Sequence, residues 1–132
     1  MIKKGKGKVL LMDDEAVIRR ATGSILKRLG YEVTCVEDGK EAIEEYKKEF
    51  EAGTPFKVVI MDLTVPNGIG GKEAIETLKE IDPNVKAIVS SGYSNDAVIS
   101  EYKKYGFAGI AIKPYKVEEL SNILARVIGE DE

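Results

Sequence analysis

Along this chain the apolar residues alternate between two spacings: short continuous runs, and longer stretches where they recur every three to four positions. Lys8 to Met12 reads as a buried strand that delivers Asp13, Asp14 and Glu15 to its carboxyl end. Ala16 to Leu29 then takes helical period, with Ile18, Ala21, Ile25 and Leu29 on one stripe, and Gly30 ends the helix. Glu32 to Val36 is strand-like, and Asp38 is placed to cap a helix whose apolar face carries Ala42, Ile43, Tyr46 and Phe50. Gly53-Thr54-Pro55 interrupts, and Lys57 to Met61 forms a third strand followed at once by Asp62. Beyond the loop from Pro66 to Gly71, Lys72 to Ile81 predicts a helix with Ala74, Ile75, Leu78 and Ile81 inward. Val85 to Val89 is a fourth strand that runs into Ser90-Ser91-Gly92. Asn95 to Tyr105 predicts a fourth helix with the thinnest apolar face of the set. Ala108 to Ile112 is a fifth strand delivering Lys113-Pro114, and Val117, Leu120, Leu124 and Val127 mark the last helix. Five strands alternating with five helices predict an α/β fold, a parallel sheet covered on both faces.

The 132 residues suffice for one domain with one core. We place that domain at residues 8–129, with residues 1–7 as a flexible basic lead-in and residues 130–132 as a short tail. The net charge of −3, with acids and bases mixed, provides no electropositive field for nucleic acid. No apolar run approaches the roughly 20 residues of a membrane span and the start lacks a signal-peptide segment, which favours the cytoplasm. Cys35 is the only cysteine, so an internal disulfide and a cysteine metal cluster are excluded; its apolar setting predicts burial. The chain has no histidine, which rules out a Ser-His-acid triad and a histidine-ligated zinc site.

In an open α/β sheet ligands bind at the carboxyl ends of the strands. Four separated elements meet there: Asp13 with Asp14, then Asp62, Ser91 and Lys113. An aspartate at a strand end is as often a turn or helix cap as a functional group. Three converging carboxylates repel one another unless a cation or a lysine offsets them, and an all-oxygen set suits a hard cation, magnesium or manganese. Asp14 and Asp62 are the expected direct ligands, with Asp13 holding metal-bound water and the Thr64 carbonyl adding an oxygen. Glu15 is better read as stabilising the first turn of a helix. A carboxylate can itself be the nucleophile in phosphoryl transfer, and Asp62 is the best placed, with Lys113 facing the phosphate from the other side. The Ser91 hydroxyl, beside flexible Gly92, can bond a phosphate oxygen and draw its loop inward. The sequence leaves open whether the Lys113–Pro114 bond is cis.

From Val9 to Val127 the chain resembles the receiver domains of two-component response regulators. The run from Val9 to Glu15 is similar to the family's first strand and acidic pair. Met61-Asp62 with Pro66 resembles the phosphoacceptor segment, Ser91 falls on the conserved hydroxyl, and Lys113-Pro114 on the conserved lysine and its usually cis proline. The spacing back from Lys113 favours Ser91 over Ser90. The resemblance implies a flavodoxin-like (βα)5 fold with strand order 2-1-3-4-5. It also implies magnesium-dependent transfer to Asp62 from a phosphohistidine on a sensor histidine kinase or histidine phosphotransfer protein, then self-catalysed hydrolysis. Such a domain catalyses its own modification rather than turnover. The missing histidine fits, since the donor imidazole belongs to the partner.

The stretch from Asp62 to Glu73 looks like receivers of hybrid sensor kinases, with one extra residue between Pro66 and Gly71, so the chain is read as free-standing or as fused to a kinase or effector. Many receivers carry an aromatic ring where Ile110 stands, so a ring-flip switch at that position is absent. Thr64 and Tyr93 occupy the positions that tune phosphate lifetime in the family, and Tyr93 is expected to shield the acyl phosphate. Tyr115 is expected to contact a partner or pack at the sheet edge. The fourth helix, fifth strand and fifth helix are the expected partner or homodimer surface. A phosphorylation-independent binding domain is the main alternative. A flavin-binding electron carrier is disfavoured by Asp13-Asp14-Glu15, which would repel a flavin phosphate, and a metal-dependent phosphatase by the lack of a cap element.

Overall fold

A computed structural model describes residues 2–92 and 97–129. The element order is β1 (Lys8–Met12), α1 (Ala16–Arg28), β2 (Glu32–Val36), α2 (Gly39–Glu51), β3 (Val58–Asp62), α3 (Gly71–Ile81), β4 (Ala87–Ser91), α4 (Ala97–Ser100), β5 (Gly109–Ile112) and α5 (Val117–Gly129). The strands form one parallel sheet in the order β2-β1-β3-β4-β5, the expected flavodoxin-like arrangement.

Side chains alternate across a strand, so each strand feeds two cores. Leu10, Met12, Val59, Met61, Ala87 and Val89 pack with α2, α3 and α4. Val9, Leu11, Val58, Ile60 and Ile88 pack with Leu26 of α1 and with Leu120 and Leu124 of α5. β1, β3 and β4 lie inside the sheet and read as continuous apolar runs; edge strand β2 is polar on one side.

Several sequence expectations shift. The buried stripe of α1 is Thr22, Gly23 and Leu26, followed by Leu29, while Ala21 is exposed. Cys35 is also exposed rather than buried: β2 is an edge strand, and the thiol lies beside Gly23 of α1 at the open margin of that face. Phe50 is 38% exposed at the end of α2, stacked on Tyr46. β4 begins later than expected and includes Ser90 and Ser91, and β3 includes Asp62. The fourth helix is far shorter: after Ser100 the chain continues in tight turns, with Lys104 N, Tyr105 N and Gly106 N each bonding three residues back. Glu101, Lys103, Lys104 and Tyr105 are exposed and from residues 101–105 only Tyr102 packs on the core, too little to hold a regular helix onto the sheet. Asn95 and Asp96, where that helix was expected to begin, lie outside the described residues.

The opening basic segment is hydrogen-bonded to the fold. Lys3 N donates to Ser121 Oγ at 2.7 Å, Gly5 N to Leu29 O at 2.7 Å, and Glu32 N to Gly7 O at 2.9 Å. Gly30 has φ of 109° as it ends α1, and a Cβ there would sit 2.2 Å from Gly5 O, so glycine serves both the turn and this docking. Among the described residues no helix is long and apolar enough to cross a membrane.

Asp38 caps α2 as expected: its side chain accepts from Glu41 N at 2.9 Å while Glu41 Oε1 accepts from Glu37 N at 2.8 Å. Asp38→Ala is expected to cost about 1 kcal/mol in urea unfolding. An unchanged midpoint would show that the cap contributes nothing.

Candidate functional site

β1 and β3 are neighbours, and Met12 pairs with Met61, so the next residues, Asp13 and Asp62, stand side by side at the carboxyl edge. Asp13 is 1% exposed and Asp62 8%, while Asp14 is exposed. One oxygen from each of the three carboxylates lies within 4.8 Å of the others.

Local bonds fix this corner. Glu15 N donates to Asp13 Oδ1 at 2.9 Å, and Arg19 Nη1 donates to the Asp13 carbonyl at 2.7 Å. The loop after β3 folds back tightly: a Cβ on Gly70 would sit 2.5 Å from Leu63 O and one on Gly71 2.9 Å from Asp62 O, so bare backbone is needed there. Glu73 Oε1 accepts from Gly70 N at 3.1 Å, and Ile69 O accepts from Gly39 N at 2.6 Å, which ties the extended loop to the start of α2.

Lys113 closes the site from β5. Its Nζ lies 2.6 Å from Asp13 Oδ2 and 3.3 Å from Asp62 Oδ1. Burial alone would lower its ammonium, but contact with Asp13 and the charge of Asp62 outweigh burial and raise it. The Lys113–Pro114 peptide is cis. Asp13 Oδ2 is nonetheless buried without a directed hydrogen bond. One ammonium facing two carboxylates, with Asp14 beside them, leaves net negative charge, a setting that fits a divalent cation with oxygen ligands.

The remaining expected residues fall around this centre. Ser91 is buried at the end of β4, and its carbonyl accepts from Lys113 N at 2.9 Å. Thr64 is exposed just beyond Asp62. Ile110 packs, half-buried, with the α2–α4 core and pairs with Val89, so it is an aliphatic wall element. Tyr93 lies outside the described residues. Sequence reading missed Arg19, whose helical position gave no hint that it braces the Asp13 backbone, and the pairing of Tyr115 with Ser90 through their hydroxyls. Tyr115 was expected to contact a partner or to pack at the sheet edge; its hydroxyl meets that of Ser90, while the residue also borders a groove at β5 and α5.

Burial pushes the Asp62 carboxyl from 3.8 up to about 6, helped by Asp13 and by a hydrogen bond with Asp14 and opposed by Lys113. With the folded value above the unfolded one, folding takes up a proton between these values, so stability falls as pH rises across that window. Without metal, Asp62→Asn is expected to gain about 1 kcal/mol at neutral pH after allowing for solvent screening, and to lose that gain below about pH 4. Parallel pH–stability curves for the two proteins in urea would contradict this.

The family model described as the response regulator receiver domain matches residues 9–125. The chain is 34% identical over 121 residues to the chemotaxis protein CheY of Thermotoga maritima, covering 91% of this chain and 96% of that protein. It is 26% identical over 121 residues to sporulation initiation phosphotransferase F of Bacillus subtilis, covering 92% and 93% respectively. Among solved structures, the receiver domain of a Pseudomonas aeruginosa sensor histidine kinase, with magnesium coordinated in its active-site cleft, superposes with a TM-score of 0.82 at 25% identity, covering 95% of this chain and 99% of that one. The buried acidic pair, the lysine bridge and these likenesses agree: the chain belongs to the response regulator receiver domain family, phosphoacceptor modules of two-component signalling.

Proposed function

We propose that Asp62 is the phosphoacceptor, taking a phosphoryl group from a phosphohistidine of a sensor histidine kinase or histidine phosphotransfer protein. The observation that carries this reading is the Lys113 bridge to Asp13 and Asp62, which holds a buried carboxylate beside a fixed cation. In the transfer an Asp62 carboxylate oxygen bonds phosphorus as the P–N bond breaks, and the imidazole leaves with the electron pair and takes up a proton. Such a transfer depends on alignment and charge compensation more than on a strong base.

Asp13, Asp14 and Asp62, whose carboxylate oxygens converge, are the groups expected to hold magnesium, with the Thr64 carbonyl as a further oxygen and manganese as a substitute of the same donor preference; the net negative charge left after the Lys113 ion pairs supports that fit. Bound there, the cation would neutralise phosphoryl oxygens. Lys113 faces the same oxygens, and the Ser91 hydroxyl donates to one of them, drawing the β4–α4 connection inward. With Ile110 aliphatic, this response proceeds without an aromatic ring moving behind Ser91. Thr64, exposed just beyond Asp62, stands where it can tune access of the hydrolytic water and so the lifetime of the acyl phosphate before the domain removes it; Tyr93, expected to share that role, lies outside the described residues.

Binding partners then read the altered face formed by α4, β5 and α5, where Ile110, Ile112, Tyr115 and Ile123 line a shallow groove. A fused effector or a second copy of the chain is the occupant this reading expects. A phosphorylation-independent domain would have no use for the Lys113 bridge, since two buried carboxylates are costly to retain without function.

Incubation with acetyl phosphate and magnesium is expected to add one labile phosphoryl mass to the parent and none to Asp62→Asn. Lys113→Met is expected to slow the reaction by roughly 10²-fold or more. Equal uptake by parent and Asp62→Asn would place the acceptor elsewhere. No uptake by the parent from either acetyl phosphate or a phosphorylated histidine phosphotransfer protein would favour the phosphorylation-independent domain.

A further inference from the structure

Lys113 has to cross a strand. It leaves β5, yet its ammonium sits on Asp62 of β3, and β4 lies between them. Asp62 pairs with Ser90, and Ser90 pairs with Ala111, two residues before Lys113, so Asp62, Ser90 and Lys113 share one face of the sheet. Ser90 is therefore the β4 residue that lies beneath the lysine's path.

Two residues past Lys113 the chain returns to that same residue. The Tyr115 hydroxyl shares a hydrogen bond with the Ser90 hydroxyl. On the near side, Lys113 N bonds Ser91 O at 2.9 Å, and Leu63 N bonds Ser90 O at 2.8 Å. Lys113 is thus staked to β4 both at its own backbone and through Tyr115, while Ser90 is itself staked to the backbone just after Asp62. Ser90 is 1% exposed and Tyr115 half-buried, so each hydroxyl would lose a partner in a dry setting if the other were removed. Burial keeps the Tyr115 phenol protonated by raising it from its ordinary value.

We propose that Ser90 and Tyr115 are positioning residues for phosphoryl transfer: their hydroxyl pair fixes the turn after β5 so that the Lys113 ammonium is held over Asp62. This deepens the phosphoacceptor reading and rests on it for its effect on rate. Neither hydroxyl touches the reacting atoms; both act through Lys113. The Ser90–Tyr115 contact also connects the site to the groove between Ile110 of β5 and Ile123 of α5, which Tyr115 borders.

The test uses the full chain and Tyr115→Phe, which deletes one oxygen and keeps the ring, with Ser90→Ala and the double variant. Each single variant is expected to slow phosphorylation at saturating acetyl phosphate about fivefold, with the double variant no slower, because all three lose the same bond. In a Lys113→Met background Tyr115→Phe is expected to have no further effect. Parent-like rates in the singles, multiplied effects in the double, or a persisting effect without Lys113 would each overturn the proposal. A purely structural bond would lower the urea midpoint alone. A second readout needs no phosphoryl donor: the ¹⁵N signal of the Lys113 ammonium is expected to shift and lose order in Tyr115→Phe, and an unchanged signal overturns the proposal. A parent that takes no phosphoryl group, with the ammonium nonetheless released by Tyr115→Phe, would sink the acceptor reading and leave the positioning role standing.

Discussion

Two carboxylates buried side by side on adjacent strands are the constraint around which this molecule is arranged. Neither Asp13 nor Asp62 can be moved far, because each continues a strand that is buried on both faces. Removing such groups from water costs several kcal/mol each unless compensated, and their mutual repulsion adds to that. Lys113 supplies the compensation from the end of edge strand β5, but one positive charge against two buried acids and a third nearby leaves the site short of cations. That deficit is the physical basis of the chemistry we propose for it. A site left negative and held rigid attracts a divalent cation, and an ammonium already in place can follow a phosphoryl group as it arrives.

The rest of the fold serves this arrangement. Parallel pairing in the order β2-β1-β3-β4-β5 brings the ends of β1 and β3 together at the centre and puts β4 between Asp62 and the lysine. Gly70 and Gly71 allow α3 to start hard against the backbone of β3, and Arg19 clamps the carbonyl of Asp13 from α1. The less regular parts gather on the other side. α4 is a single short turn of helix followed by exposed, charged turns. Low local packing is where a small change at Ser91 meets the least resistance.

Much of this was readable from residues alone because the signals were redundant. Apolar runs broken by Gly and Pro mark the strands, and each run ends in a polar residue that the parallel sheet carries to one edge; Asp13, Asp62, Ser91 and Lys113 could thus be grouped before any coordinate was known. What could not be read depends on orientation about an axis. Ala21 and Thr22 differ by one step around α1, and only packing decides which faces in. Cys35 looked buried because its neighbours are apolar, but edge position overrides local composition. Arg19 and Tyr115 carry no motif; their importance lies in where a long side chain ends, which spacing along the chain does not encode. The length of α4 was misjudged because a weak apolar stripe does not say whether tertiary contacts complete it.

The account's central claim is that the lysine-bridged acidic pair is a ready-made seat for a cation and a phosphoryl group. A crystal structure grown with magnesium and beryllofluoride, a phosphoryl mimic, tests it most directly. The predicted result has beryllium on an Asp62 oxygen, the metal among Asp13, Asp14, Asp62 and the Thr64 carbonyl, and Lys113 turned onto a fluoride. A structure in which the metal avoids this cluster, or in which Lys113 stays on Asp13 and Asp62 with no mimic bound, would contradict it.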